Sequence, residues 1–146
     1  MSASRIAEGL WVGSAPPPGD YVGQFDVMVF TAEEYQPPDG RFPGVRVRHY
    51  PFDDDPEPDP ADLMTAWSAG EAVAKDLRRG RKVLVSCAMG RNRSALVAAL
   101  ALYMVTGHSG AEVLALVRAK RVDDTGVRAL SNPAFQRYLR SLPARG

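Results

Sequence analysis

Val83-Leu-Val-Ser-Cys-Ala-Met-Gly-Arg-Asn-Arg-Ser94 decides how the rest of the chain is read. Its first three residues are a continuous apolar run, suited to a short strand buried on both faces, and the stretch after Ser94 is an apolar helix. Between them a turn runs from Cys87 to Arg93, with a thiol at one end and a guanidinium at the other. A turn that feeds a helix N-terminus aims successive backbone N–H groups at one point and forms a concave anion site. Arg93 adds a planar two-pronged donor for two oxygens of a phosphate. The same positive surroundings favour Cys87 as a thiolate, the nucleophilic form. One such loop would both bind a phosphate and attack it. A lone cysteine at a strand end is usually a small core residue. Core packing, however, gives no reason for Gly90, Arg91, Asn92 and Arg93 to follow. The nucleotide-binding phosphate loop needs G-x-x-x-x-G-K-[ST], and that string does not occur.

Composition bounds the remaining possibilities. The 146 residues fit a single domain, 1–146, with one sizeable core. Eighteen Lys and Arg against seventeen Asp and Glu leave a formal charge of +1, so bulk charge points to neither nucleic acid nor an anionic membrane. The longest strongly apolar run, Ala95 to Val105, is too short to span a bilayer, and the N-terminus has no signal-peptide core. With Cys87 as the single cysteine no internal disulfide can form, and a reducing, cytoplasmic setting is expected. His49 and His108 are far apart in sequence, so no metal site is expected.

Outward from the central stretch, the elements alternate. Ile6 to Ser14 reads as one short strand around Trp11, ended by prolines 16 to 18. Phe25 to Phe30 reads as a second strand and Val45 to Tyr50 as a third, with Val45 and Val47 opposed to Arg46 and Arg48. Pro51 to Pro60, rich in proline and acids, reads as an exposed loop. Asp59-Pro60 then caps a helix that carries Leu63, Trp67, Ala74 and Leu77 and ends near Gly80. Ser94 to Val105 is apolar nearly all round, which marks an enclosed, central helix closed by Gly107. Ser109-Gly-Ala-Glu112 is a capping box for the next helix, and Asn132-Pro133 opens the last. The predicted class is α/β, with a central, mostly parallel sheet of about four to five strands flanked by helices. Ligands of such sheets bind beyond the carboxyl ends of the strands, which is where Cys87 falls.

Cys87 and Arg93, standing as C-x5-R and followed by Ser94, resemble the signature of the cysteine-dependent protein tyrosine phosphatase superfamily. The remainder is similar to its small dual-specificity branch: G-L-W-V-G-S at 9 to 14, the acidic loop ahead of the cysteine, and N-P-A-F-Q-R-Y-L near the end. The resemblance covers nearly the whole chain and implies a three-layer α/β/α domain and a protein tyrosine or dual-specificity phosphatase that needs no metal or other cofactor. It implies that Cys87 is the nucleophile of a cysteinyl-phosphate intermediate and that Arg93 clamps the phosphoryl oxygens. The N–H groups of Ala88, Met89, Gly90, Arg91, Asn92 and Arg93 would cradle the same oxygens, and Ser94 would hydrogen-bond the departing sulfur. An acid on the Pro51–Pro60 loop would protonate the leaving group. The family's order of Asp, one residue, then Pro and often Glu matches Asp54-Asp-Pro-Glu57, which favours Asp54, with Asp55 and Asp53 as the alternatives. Arg91 is read either as positive potential at the pocket rim or as a solvated charge.

One position departs from the family, which usually has His before the cysteine where this chain has Ser86. That substitution motivates a second reading, a phosphate-binding interaction module without turnover. A third is a sulfurtransferase resembling the rhodanese group, whose loop is typically one residue shorter before its Arg; here that position is Asn92. The expected partner is a phosphorylated protein or other phosphomonoester, with neither nucleic acid nor membrane, and the chain is expected to be a monomer.

Overall fold

A computed structural model describes residues 1–145. Five strands, β1 Ala3–Ala7, β2 Leu10–Gly13, β3 Val27–Ala32, β4 Arg46–Phe52 and β5 Val83–Ser86, form one sheet in the order β1-β2-β5-β3-β4. Four helices complete the fold: α1 Pro60–Arg78, α2 Arg93–Thr106, α3 Gly110–Lys120 and α4 Pro133–Arg140. The predicted α/β class, with a mostly parallel sheet, is what the chain adopts. β5 lies at the centre, parallel to both β2 and β3, and all four of its residues are buried, the apolar Val83 to Val85 as their pattern requires and Ser86 with its hydroxyl and carbonyl hydrogen-bonded. Only β1 is antiparallel.

Register places the site. Ser86 pairs with Gly13 on one side and Phe30 on the other, so β2, β5 and β3 end level with one another. The three segments leaving the sheet there converge. The Thr31 hydroxyl donates to the Ser86 carbonyl at 2.9 Å, and the Ser86 hydroxyl donates to the Ser14 carbonyl at 3.2 Å.

Side chains alternate across the sheet. Leu10, Val12, Val27, Val29, Val83 and Val85 pack with the helices into one core. Met28, Phe30 and Leu84 face the other way, onto Phe25, Phe42 and Val45. That second outer layer is thin: loops and a single 3-10 turn, Asp39–Arg41, cover it, and Phe30 stacks on Phe42 with ring centroids 5.5 Å apart. α2, enclosed as its composition predicts, is buried from Ser94 to Tyr103. No helix among the described residues is long and apolar enough to cross a membrane.

Three boundaries differ from the sequence reading. The opening strand is a hairpin, β1 and β2, turning at Glu8-Gly9 where Gly9 takes φ +77°. β3 runs from Val27 to Ala32, two residues later at each end than Phe25 to Phe30. β4 runs through Pro51 to the buried Phe52, so the acidic loop starts later than expected. Proline is tolerated there because β4 is an edge strand that need not donate from every N–H. The caps behave unequally: the Ser109–Glu112 box forms and Asn132 accepts from the N–H groups of Ala134 and Phe135, whereas Asp59 occupies its N-cap without a side-chain bond.

Candidate active site

The turn from Cys87 to Asn92 joins the end of β5 to the start of α2, so the first turn of a helix points into it. Cys87 is buried and its N–H donates to the Gly13 carbonyl at 3.3 Å. The N–H groups of Ala88, Met89, Gly90, Arg91 and Asn92 have no backbone acceptor among the described residues. The Ser94 hydroxyl lies 3.1 Å from Cys87 Sγ.

Arg121, at the end of α3, shapes this cradle from behind. Only 1% exposed, it donates from Nε to the Gly90 carbonyl at 3.0 Å and from Nη2 to the Met89 carbonyl at 3.1 Å. Its Nη1 donates to the Ser2 hydroxyl at 2.7 Å, tying the loop to the β1 edge. Two carbonyls are thereby turned to the back of the loop, which leaves the N–H groups for the front. Burial lowers the proton affinity of Arg121, while Asp124, Asp123 and Cys87 raise it. Gly90 has φ +64°, and a Cβ there would lie 2.5 Å from the Gly13 carbonyl carbon and 2.6 Å from Arg121 Nη2. Gly90→Ala is therefore expected to displace the loop backbone, cut activity by roughly 10²-fold or more, and lower the melting temperature; activity and thermal melts check it.

Arg93 opens α2 and turns its guanidinium toward the loop after β3. Nη1 and Nη2 each donate to a Glu34 carboxylate oxygen at 2.8 Å, a bidentate end-on pair. Nε is buried and has no hydrogen-bond partner among the described residues. Burial works against the Arg93 charge, but the Glu34 hydrogen bond and the charges of Cys87, Glu34 and Asp54 outweigh it and hold the guanidinium more firmly protonated than usual. Glu34 is held from the ordinary 4.5 down to about 2, first by the Arg93 hydrogen bond and then by its own backbone N–H. A depressed carboxyl contributes stability that is whole above its unfolded value and fades as pH falls through the folded one. Wild type and Glu34→Gln are thus expected to differ in melting temperature at neutral pH and to converge between pH 4.5 and about 2, as pH-dependent melts can check. The difference is small, because Glu34 is 56% exposed.

The three consecutive acids diverge. Asp53 meets Glu33 and Asp62, and interaction with the Asp53 carboxyl, followed by its charge, raises Glu33 above its ordinary value. Asp55 accepts from the Glu57 N–H at 2.9 Å in a local turn. Asp54, though exposed, reaches the phosphate loop: Oδ2 accepts from Asn92 Nδ2 and Oδ1 from Asn132 Nδ2, both at 2.8 Å. Of the three, Asp54 is the one bonded to the loop that holds Cys87. Glu33, Asp53 and Asp62 bring one carboxylate oxygen each within 4.8 Å of one another, a largely exposed acidic cluster of a kind common without any ion.

Arg91 is neither a free rim charge nor a solvated one. Its Nε donates to Asp123 Oδ2 at 2.6 Å and Nη2 to the Thr125 hydroxyl at 3.2 Å, while the Leu130 N–H donates to its carbonyl at 2.7 Å. The Thr125 hydroxyl, followed by Arg91, holds Asp123 well below the usual carboxylate range. His49 pairs with Gln36 and His108 with Glu112, and neither belongs to the site.

Among solved structures, human DUSP28 is 27% identical, with 95% of this chain and 90% of that chain covered at a TM-score of 0.72. Tk-PTP in its active form is 26% identical, with 96% and 97% covered at a TM-score of 0.72. The chain is similar to dual-specificity phosphatases. Its resemblance to the small branch of the cysteine-dependent protein tyrosine phosphatases thus holds in three dimensions as well as in motif. PTPMT1 in complex with PI(5)P, at 19% identity and a TM-score of 0.74 over 95% of this chain and 92% of that one, shares the fold. No protein-family model and no curated protein sequence matches the chain.

Three side chains of this phosphatase-like site carried no sequence signal as site residues. Glu34 stands 59 residues from Arg93, Arg121 stands 31 from Gly90, and Asn132 stands 78 from Asp54. Asn132 was legible as a helix cap, which uses only its oxygen; the amide nitrogen aimed at Asp54 was not.

Proposed function

We propose that the chain is a phosphomonoester hydrolase of the dual-specificity phosphatase type, acting through a cysteinyl-phosphate intermediate. The observation that carries the reading is the buried, partnerless Nε of Arg93. Glu34 occupies the end of the guanidinium, so the edge formed by Nε and the adjacent Nη2 hydrogen remains for a phosphoryl group beside Cys87.

In the first step the Cys87 thiolate attacks phosphorus as the bond to the ester oxygen breaks. Protonated Asp54 delivers its proton to that oxygen and becomes a carboxylate. In the second step the carboxylate takes a proton from water as the water attacks phosphorus. The S–P bond breaks, and Ser94, 3.1 Å from the sulfur, donates a hydrogen bond to the departing thiolate. Arg93 and the N–H groups of residues 88 to 93 meet the charge on the equatorial oxygens throughout.

Ser86 supports activity better than it supports the interaction-module reading. Its hydroxyl and carbonyl are both bonded, to Ser14 and Thr31, so the loop entry is braced without the usual His. Sulfur transfer is not favoured: at the position where that group carries its Arg, Asn92 turns its amide to Asp54. Substrates within reach of the proposal are phosphotyrosine, phosphoserine and phosphothreonine proteins and other phosphomonoesters, with shallow-pocket, broad specificity favoured. The test is hydrolysis of an aryl phosphate and of phosphopeptides under excess chelator, with inorganic phosphate as competitor. Turnover with competitive inhibition is expected. Phosphate binding without turnover of any ester would establish the interaction module instead.

A further inference from the structure

Asp54 sits on a segment poorly suited to holding a proton donor still. Residues 53, 54, 55, 57 and 59 are all acids and repel one another, and the stretch from Asp53 to Asp59 belongs to no helix or strand. What fixes Asp54 comes from elsewhere. Two primary amides, Asn92 Nδ2 and Asn132 Nδ2, each donate to a different oxygen of its carboxylate at 2.8 Å. Asn132 Nδ2 also donates to the Asp55 carbonyl at 2.9 Å, clamping the backbone of the same loop.

The amides are themselves anchored. Both asparagines are buried, at 8% and 7% exposure. Asn92 Oδ1 accepts from the Asn132 N–H at 3.0 Å and from the Ser131 hydroxyl at 3.3 Å, so the two residues are bonded to each other as well as to Asp54. Asn132 Oδ1 is spent on the N-terminus of α4, which fixes the amide plane and leaves the nitrogen no orientation except toward the acidic loop. Leu130 just ahead takes φ +61°, a left-handed conformation rare for leucine, while its N–H holds the Arg91 carbonyl at 2.7 Å. The segment from Leu130 to Asn132 is thus pinned onto the phosphate loop. A helix cap elsewhere in the chain, Ser109, does its work without any such second set of bonds.

We infer that Asn132 and Asn92 are positioning residues for the general acid: paired buried amides that hold the Asp54 carboxyl in register with the phosphate loop. The inference rests on the assignment of Asp54 as that acid. It deepens the proposed function by making proton delivery depend on the α4 N-terminus, far along the chain from both Cys87 and Asp54.

The distinguishing readout is the leaving group. An ester of an acidic phenol departs without help, whereas phenyl phosphate needs the proton. Asn132→Ser keeps a good N-cap but cannot reach Asp54. It is expected to lower kcat/KM for phenyl phosphate, which reports only the steps through departure of the leaving group, by roughly 10- to 100-fold, and to lower kcat/KM for the activated ester by no more than about threefold. Asn92→Ser, approaching from the other oxygen, is expected to show the same split. The ratio is read within one sample, so a partly unfolded preparation slows both esters equally and leaves it unmoved. In the Asp54→Ala background, Asn132→Ser is expected to cost nothing further on phenyl phosphate, because the group it positions is gone. Equal losses in kcat/KM on both esters, or full additivity with Asp54→Ala, would overturn the positioning role. If Asp54→Ala itself leaves phenyl phosphate hydrolysis intact, the acid assignment falls and this inference with it. If Asp54→Ala slows that reaction and both asparagine variants do not, only the positioning role falls.

Discussion

Cys87→Ser is expected to lower turnover of an aryl phosphate by roughly 10⁵-fold or more, while inorganic phosphate still binds. The two halves of this result have separate origins. Turnover needs a strong nucleophile at position 87, and a serine hydroxyl becomes one only beside a general base. The side chain hydrogen-bonded to position 87 is Ser94, which cannot act as that base, and neither histidine of the chain belongs to the site. Binding, by contrast, draws on Arg93 and on the N–H groups of residues 88 to 93, which a sulfur-to-oxygen exchange leaves in place. Steady-state assays and calorimetric titration with phosphate measure the two halves independently. Activity retained in Cys87→Ser would contradict covalent catalysis altogether.

Arg93→Lys is the second large effect, expected at roughly 10³- to 10⁵-fold in kcat/KM. Lysine keeps the positive charge but is a single point donor on a flexible stem. It cannot pair end-on with both Glu34 oxygens and still present a second edge to a phosphate, as the guanidinium does. The loss should therefore appear in phosphate affinity as well as in kcat. Stability should change little, since Glu34 is largely solvated. Arg91→Ala supplies the contrast. Its guanidinium is committed to Asp123 and Thr125, so that variant should loosen the flank of the loop without removing a phosphate ligand. A lysine variant as active as wild type would remove Arg93 from the mechanism.

The parts of this molecule legible in the sequence are those that local chemistry determines. Val83 to Ser94 could be read as strand, turn and helix because an apolar run, a glycine able to take positive φ, and an apolar helix follow one another within twelve residues. The capping box at Ser109 and the N-cap at Asn132 were equally local. Asp54, by contrast, was favoured only by the resemblance to the family's acid pattern, since three adjacent acids carry no local mark to separate them; it is the one of the three that bonds the loop.

What the sequence hid depends on side chains meeting across the fold. β1 escaped notice because Ala3-Ser-Arg-Ile-Ala lacks a clear alternation, and only pairing with β2 makes it a strand. Pro51 argued against a strand until β4 proved to be an edge. The second outer layer is a packing of loop aromatics, a pattern without the periodicity that announces a helix. Arg121 carries no local mark of its role, yet it is buried behind the loop and fixes which way two carbonyls point.

The central claim is that phosphate becomes covalently bound to Cys87 during turnover. Rapid acid quench of the protein during hydrolysis of a radiolabelled aryl phosphate, followed by peptide mapping, tests it directly, and Asp54→Ala is the form in which the intermediate should decay slowly enough to collect. The label is expected on the peptide that holds Cys87, and no label is expected in Cys87→Ser. Sustained hydrolysis with no phosphate on Cys87 would contradict it.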